Sequence, residues 1–202
     1  MTTTSDDIGA QRSAIRRAMR ARRAQVPPEE QQAASERLAA QLMTNLPADA
    51  TLGVYAAARG EISLHPFLEM LGPKAKIAWP RALDGGAMEF ILTSADNLRV
   101  GKYGILEPAG GPLLAPSALD VMLIPGTAFS LSGGRLGMGG GYYDRYLARV
   151  RPDTLRVGVA YHWQQLPELP LLPHDLLMTH LVSDKDYTPC TPSRSESARP
   201  PK

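Results

Sequence analysis

The chain has 202 residues, of which 44% are hydrophobic and 21% charged, and its net charge is +2. This length suits a single α/β domain with a sizeable core, and the near-balanced charge argues against a surface built as a whole for nucleic acid. A single cysteine, Cys190, excludes an internal disulfide, and no apolar run is long enough for a membrane span or a secretory signal, so we expect a cytoplasmic protein.

The N-terminal half predicts helices alternating with strands. From about residue 6 to residue 24 apolar residues share one side of a predicted helix, and arginines fill the rest. Pro27 and Pro28 break this helix, and Glu29 and Glu30 favour the positive start of a second helix. Residues 52–57, 76–79 and 88–92 are predicted strands, with a short helix over residues 64–71.

The second half predicts the rest of a layered sheet. Residues 93–117 are rich in Gly and Pro and predict a long functional loop, which is followed by a buried strand at 121–124. A helix at 142–150 and strands at 156–161 and 181–183 complete a single α/β domain over residues 1–187. We expect a mostly parallel central sheet flanked by helices on both faces, a Rossmann-like three-layer fold. Residues 188–202 contain no aromatic residue and predict a disordered tail.

The segment between the strand at 121–124 and the helix at 142–150 is the most informative part of the chain. Strand, glycine loop and helix together bring backbone N–H groups close to a phosphate. An arginine adds a fixed fork of donors, and an aspartate adds a hard oxygen of the kind that Mg²⁺ prefers. The pattern is neither a Walker loop nor a complete dinucleotide fingerprint, and a glycine-rich surface turn is the alternative. Its residues are Gly133, Gly134, Arg135, Gly137, Gly139, Gly140, Gly141, Tyr142, Tyr143 and Asp144.

The run from Arg135 to Asp144 resembles the signature of the 5-formyltetrahydrofolate cyclo-ligases, also called methenyltetrahydrofolate synthetases. The resemblance covers about residues 12–184 in order, through Lys102-Tyr103-Gly104-Ile105-Leu106-Glu107-Pro108, Gly158-Val159-Ala160-Tyr161, Gln164, Leu166-Pro167 and Pro173-His174-Asp175. It implies ATP-dependent cyclisation of 5-formyltetrahydrofolate to 5,10-methenyltetrahydrofolate, with release of ADP and phosphate and with Mg²⁺ as cofactor.

The resemblance also implies the residues of the site. For ATP these are Arg12, Arg16, Arg135, Leu136, Gly137, Met138, Gly139, Gly140, Gly141, Tyr142 and Tyr143. For the folate substrate they are Ala56, Glu61, Met138, Gly139, Gly140, Gly141 and Tyr142, and for the metal Asp144 and Asp175. The family often has a lysine where Arg12 stands, a larger residue at Ala56 and an aspartate at Thr179.

Plainer alternatives remain for several of these residues. The arginines of the first helix could form a solvated basic face or bind RNA, although no stacking aromatic residues are interleaved with them. Glu61 could be an exposed loop acid, and Asp175 could simply start a turn. A protein of the same ATP-binding fold could act on another substrate. We expect ATP and 5-formyltetrahydrofolate as partners of a monomer that binds neither nucleic acid nor membrane.

Overall fold

A computed structural model describes residues 5–172 and 175–191. The helices are α1 (Ser5–Arg23), α2 (Pro28–Asn45), α3 (His65–Leu71) and α4 (Tyr142–Leu147). The strands are β1 (Leu52–Gly53), β2 (Ile77–Ala82), β3 (Met88–Leu92), β4 (Leu98–Val100), β5 (Leu106–Pro108), β6 (Leu113–Leu114), β7 (Val121–Pro125), β8 (Ala128–Ser130), β9 (Arg135–Leu136), β10 (Leu155–Val159), β11 (Gln165–Leu166), β12 (His180–Val182) and β13 (Tyr187–Pro189). Within the described residues no helix is both long and apolar enough to cross a membrane.

Helix α2 begins where its sequence predicts. Pro28 occupies the first turn, where a backbone N–H has no helical partner, and two acidic residues lie near the positive end of the helix dipole. Leu38 and Leu42, one turn apart, are both fully buried against the sheet. The apolar stripe therefore fixes which face of the helix covers the core.

The central sheet has eight strands in the order β13-β12-β10-β7-β1-β2-β3-β6. The strands from β12 to β2 are parallel, and the antiparallel strands β13, β3 and β6 lie towards the edges. From β1 the chain continues to β2 on one side, whereas from β7 it continues to β10 and β12 on the other. Neighbouring strands β1 and β7 therefore form a topological switch point, and ligands of open α/β sheets bind beyond the carboxyl ends of such strands.

Strand β7 is buried on both faces of the sheet. Val121 and Leu123 belong to the core that the sheet forms with α2 and α3. Met122 and Ile124 face the opposite core, which includes Tyr146 of α4. On that second side the small sheet β11-β8-β9 adds to the cover. The three-layer, mostly parallel α/β fold is confirmed, and the uninterrupted apolar run of β7 follows from burial on both faces.

Several predicted boundaries are corrected by the structure. Residues 93–117 are not a structureless loop, because β4 and β5 form an antiparallel hairpin and β6 pairs with β3. Val100 and Leu106 are exposed on this hairpin, so its sequence lacks the alternation of a half-buried strand. The predicted helix at 142–150 ends at Leu147, and the strand at 52–57 ends at Gly53, although the Val54 N–H still donates to Ala78 O.

The predicted disordered tail is wrong for residues 188–191. Strand β13 pairs antiparallel with β12, and the N–H groups of Cys190 and Thr191 donate to Thr179 O and Leu131 O. Backbone hydrogen bonds at a sheet edge order this segment. The prediction of disorder was based on side-chain composition, which carries no information about such backbone pairing. The remainder of the predicted tail, residues 192–202, lies outside the described residues.

Candidate active site

A pocket of about 680 Å³ lies at the switch point. Tyr55 and Ala56, which follow β1, and Pro125 and Gly126 at the end of β7 form its floor. Helix α1, the β4–β5 hairpin and residues 133–141, which we call the glycine segment, supply the walls. The pocket thus lies where the strand topology alone leads us to expect a ligand site.

The candidate residues converge on this one pocket. Its lining includes every residue implied by the family resemblance except Leu136. Leu136 is instead buried in β9, where its carbonyl accepts the N–H of Thr127. Residues far apart in sequence, such as Arg12 and Asp175, are therefore brought together in the structure.

Four arginines of α1 lie on the pocket side of that helix. Arg12 forms an ion pair with Asp175, with 2.6 Å between Nη1 and Oδ2. The Nε of Arg16 donates to Gly137 O at 2.9 Å, and Nη2 of Arg20 donates to Met138 O at 3.1 Å. These contacts attach α1 to the glycine segment, and Arg12 and Arg16 are partly buried by them, whereas Arg20 stays exposed. Arg23 completes the row, one turn further on.

The guanidinium of Arg135 is held by three contacts. Its Nη2 donates to Asp144 Oδ1 at 2.8 Å, and its Nη1 donates to Pro125 O at 3.2 Å. The guanidinium also lies over the ring of Tyr143, with 5.4 Å between Cζ and the ring centroid. Only 4% of the Arg135 side chain is exposed, and its Nε is buried without a hydrogen-bond partner among the described residues. A preorganised cation at the pocket wall is the result.

Two glycines give the glycine segment its shape. Gly139 has φ +107° and Gly141, the residue before α4, has φ +68°. Both values lie in the left-handed region that residues with a Cβ rarely adopt. Gly140, between them, has no such requirement, and a Cβ there would lie 3.0 Å from the Tyr142 ring. Of the three consecutive glycines, therefore, only Gly139 and Gly141 are required by the backbone conformation of the turn.

Glu61 lies at the other end of the pocket, after a tight turn in which Arg59 and Gly60 have φ of 54° and 73°. Its Oε2 accepts the N–H of Ala58 at 3.1 Å, and its Oε1 is 3.7 Å from Nη1 of Arg23. Burial raises the pKa of the Glu61 carboxyl, and the Arg23 guanidinium opposes that change. Glu61 is thus a buried, partnered acid rather than an exposed loop residue.

Two phenols are buried close to Glu61. Burial, together with the charge of Glu61, raises the pKa of Tyr143 and of Tyr55 well above the ordinary value. Both side chains therefore stay neutral, and Tyr55 donates from its hydroxyl to Ile62 O at 2.6 Å. The glutamate end of the pocket combines one carboxylate with apolar and aromatic walls, which suits a planar, hydrogen-bonding ring.

The two aspartates predicted to hold a metal differ in their surroundings. Asp144 gives one oxygen to Arg135 and keeps 29% of its side chain exposed, so it can accept a hard cation. Asp175 is 5% exposed, and its oxygens accept from Arg12 and from the Leu172 N–H. Carboxylate oxygens are ligands that Mg²⁺ prefers. In the structure, however, the Asp175 carboxylate is paired with the Arg12 guanidinium. Within residues 5–172 and 175–191, no group of three or more metal-ligating side chains comes together.

Sequence reasoning left three residues of this region out of the predicted site. Arg20 and Arg23 continue the helix face of Arg12 and Arg16, at intervals of four and three residues, a spacing visible in the sequence. Tyr103, at the tip of the β4–β5 hairpin, lines the pocket and places its hydroxyl 2.9 Å from that of Tyr142. No local pattern predicts that contact, because it joins the tip of the hairpin to the first residue of α4, 39 residues further along the chain.

The fold and the pocket define a ligand-binding α/β protein with arginines and a glycine turn at one wall and a buried carboxylate at the other end. The sequence profile of the 5-formyltetrahydrofolate cyclo-ligase family matches residues 8–184. The chain therefore belongs to the 5-formyltetrahydrofolate cyclo-ligase family.

Curated relatives and solved structures agree with this membership. The 5-formyltetrahydrofolate cyclo-ligase of Escherichia coli strain K12 is 31% identical over 174 residues, which cover 82% of this chain and 96% of that protein. The mitochondrial one of Arabidopsis thaliana is 30% identical over 61% of this chain and 52% of its own length. The structure of Aquifex aeolicus 5,10-methenyltetrahydrofolate synthetase is 32% identical and superposes with a TM-score of 0.79, covering 91% of this chain and 94% of that one.

Proposed function

We propose that this protein catalyses the ATP-dependent cyclisation of 5-formyltetrahydrofolate to 5,10-methenyltetrahydrofolate, with release of ADP and phosphate. The observation that carries the proposal is a single pocket that combines the arginine-flanked glycine segment with the buried Glu61 carboxylate. Its volume of about 680 Å³ is in the range of small-molecule sites. Membership of the cyclo-ligase family supports the same reaction.

The reaction must activate an amide. The N-formyl carbon is a poor electrophile, because its oxygen is a poor leaving group. Transfer of the γ-phosphoryl group of ATP to the formyl oxygen releases ADP and turns that oxygen into part of a phosphate leaving group. The neighbouring folate nitrogen then attacks the carbon and loses its proton, and departure of phosphate leaves the methenyl bridge. The protein's task is to align the two substrates and to stabilise charge.

The arginine wall is the part of the pocket that suits ATP. We assign Arg12, Arg16 and Arg135, with the backbone N–H groups of residues 139–141, to the triphosphate. Each guanidinium already contacts a protein acceptor, so the positive charge is held in place before the nucleotide binds. Such preorganised donors stabilise developing negative charge without further rearrangement.

The Glu61 end is the part that suits the folate. An ionised carboxylate accepts hydrogen bonds from the N–H groups of a pterin ring, and the neighbouring walls at Ala56 and Met138 contact its faces. The folate and the triphosphate share residues 138–142, which places the formyl group between the two ends. Both substrates are therefore assigned to one pocket with a common wall.

Mg²⁺ is the cofactor of this proposal. Held by Asp144 and Asp175, it would neutralise charge on the phosphates. Arg12 would then exchange its carboxylate partner for a phosphate oxygen. We place the reaction in the cytoplasm, in a monomer that acts on these two small molecules.

A spectrophotometric assay tests the proposal. With 5-formyltetrahydrofolate and Mg²⁺ present, the absorbance of the methenyl product is expected to grow only when ATP is added, with one ADP formed for each product. Glu61→Gln is expected to raise the KM for the folate far more than the KM for ATP. ATP hydrolysis without methenyl product, or no dependence on ATP, would assign this fold another substrate.

A further inference from the structure

We infer that Arg23 is a positioning residue for Glu61, holding that carboxylate aimed into the pocket. The inference rests on the proposed function, in which Glu61 accepts hydrogen bonds from the pterin. Arg23 acts through Glu61: among the described residues that line the pocket, Glu61 is present and Arg23 is not.

The geometry fixes Glu61 at both of its oxygens. Nη1 of Arg23 is 3.7 Å from Oε1, while the Ala58 N–H donates to Oε2. The same Nη1 lies 3.4 Å from Gly126 O, so the guanidinium is tied to the end of β7 as well. Arg23 is only 2% exposed, and burying an arginine at the end of a helix requires a partner.

The charge of Glu61 depends on that partner. Burial favours the protonated carboxyl, and Arg23 gives the largest opposing effect, ahead of the Ala58 N–H and of Arg59. The other titratable groups near Glu61 are the phenols Tyr55, Tyr143 and Tyr161, which are neutral at physiological pH. Arg23 is therefore the main cation that opposes protonation of the Glu61 carboxylate, with Arg59 a smaller one, in a site walled by phenols and apolar groups.

Protonation would change what Glu61 can bind. An ionised carboxylate is an acceptor at both oxygens, whereas a protonated carboxyl is a donor at one of them. A pterin edge that offers two N–H donors fits the first form and not the second. Loss of Arg23 is therefore expected to impair folate binding, and to impair it most at low pH.

A merely structural role for Arg23 makes a different prediction. If Arg23 only attached the end of α1 to β7 through Gly126 O, its replacement would lower stability. It would then change the KM for ATP and for folate alike, because α1 also carries Arg12 and Arg16. The experiment must therefore separate the two substrates and follow the protonation of Glu61.

The variants are Arg23→Gln, Arg23→Lys and the control Arg22→Gln, whose guanidinium lies over Trp163. At pH 7 we expect Arg23→Gln to raise the KM for 5-formyltetrahydrofolate about tenfold, near the lower end of the range for one hydrogen bond to a charged group, with the KM for ATP within about twofold of the wild type. The acid limb of kcat/KM for the folate should move to higher pH. Arg23→Lys should restore most of the loss, and Arg22→Gln should behave as the wild type.

A double-mutant cycle and a direct titration complete the test. Once Glu61→Gln is present, Arg23→Gln should cost little more in folate KM. In protein labelled with ¹³C at the glutamate carboxyl, the signal assigned to Glu61 by its loss in Glu61→Gln should titrate at higher pH in Arg23→Lys and higher still in Arg23→Gln. An unshifted titration, or equal rises in both KM values, overturns the inference even where wild-type turnover upholds the proposed function. Wild-type protein without cyclo-ligase activity defeats that function, while the titration still decides the Arg23–Glu61 coupling.

Discussion

Arg135 combines three contacts in one buried side chain, and this makes it the sharpest single-residue test of the proposal that the arginine wall binds ATP. We expect Arg135→Ala to raise the KM for ATP by about tenfold or more and to change the KM for folate much less, because the fork of donors has no apolar substitute. Arg151→Ala is the matched control. Arg151 pairs with Asp120, which precedes the amino end of β7, whereas the pocket lies beyond the carboxyl end of that strand. Equal KM values for ATP in the two variants would remove Arg135 from the triphosphate.

The two aspartates are expected to respond differently to replacement. Asp144→Asn and Asp175→Asn should each raise the Mg²⁺ concentration needed for half-maximal rate, and the double variant should add little, since groups serving one ion are not additive. Asp175→Asn should also raise the KM for ATP at saturating Mg²⁺, because Arg12 loses its counter-ion. An Asp175→Asn variant that titrates with Mg²⁺ like the wild type would leave Asp175 only as the partner of Arg12.

The β4–β5 hairpin is an element whose tip lies at the pocket mouth. Lys102 at the tip pairs with Asp84, and the Tyr103 hydroxyl meets that of Tyr142, with Tyr103 itself at φ 62°. Tyr103→Phe and Tyr142→Phe keep both rings and remove the shared hydrogen bond. We expect each to raise the KM for folate about threefold, the scale of one neutral hydrogen bond.

The double variant distinguishes this contact from two separate ones. If the hydroxyls act only on each other, Tyr103→Phe combined with Tyr142→Phe should be no worse than either single change. A product of the two single effects would mean that each hydroxyl contacts the substrate independently. Asp84→Asn is the control for the hairpin. The Asp84 carboxylate is fully exposed, so its loss should leave the KM for folate nearly unchanged.

How far the sequence predicts each element depends on what orders it. Strands that are buried on both faces, such as β7, can be predicted from their uninterrupted apolar runs. Strands β8, β9 and β11 are two or three residues long and were not predicted, because backbone pairing rather than periodicity orders them. The glycine segment was predictable as a local motif. The partners of Arg135 lie within ten residues of it along the chain. The arginines that pair with Glu61 and Asp175, by contrast, come from a distant part of the chain, and no local pattern predicts those pairs.

At the scale of the whole molecule, α1 connects the two ends of the pocket. Arg12 contacts Asp175 and Arg16 contacts Gly137 at one end of the pocket, while Arg23 on the same helix contacts Glu61 at the other end. Both contacts start from one helix, so α1 fixes their positions relative to each other.

The last prediction concerns the C-terminal edge of the sheet. Strand β13 completes the sheet beside β12, its Tyr187 ring lies 5.2 Å from that of His180, and Cys190 packs against the core, where burial raises its pKa to about 12. A chain ending at Asp186 loses these contacts and exposes the edge of β12. We expect it to lose about 2 kcal/mol of stability, a fall in melting temperature of about 5 °C for a domain of this size.

A chain ending at Thr191 is the matched comparison, because it keeps β13 and its hydrogen bonds. The residues it lacks, 192–202, have a composition of Pro, Ser and Arg that offers little apolar surface to bury, so its melting temperature should equal that of the full chain. Both truncations leave every residue of the pocket in place, and their KM values for ATP and folate below the melting transition should match the full chain. Equal melting temperatures for the two truncations would show that pairing along β12 contributes nothing measurable to the fold, whereas a raised KM in the shorter chain would show that the sheet edge and the pocket are coupled.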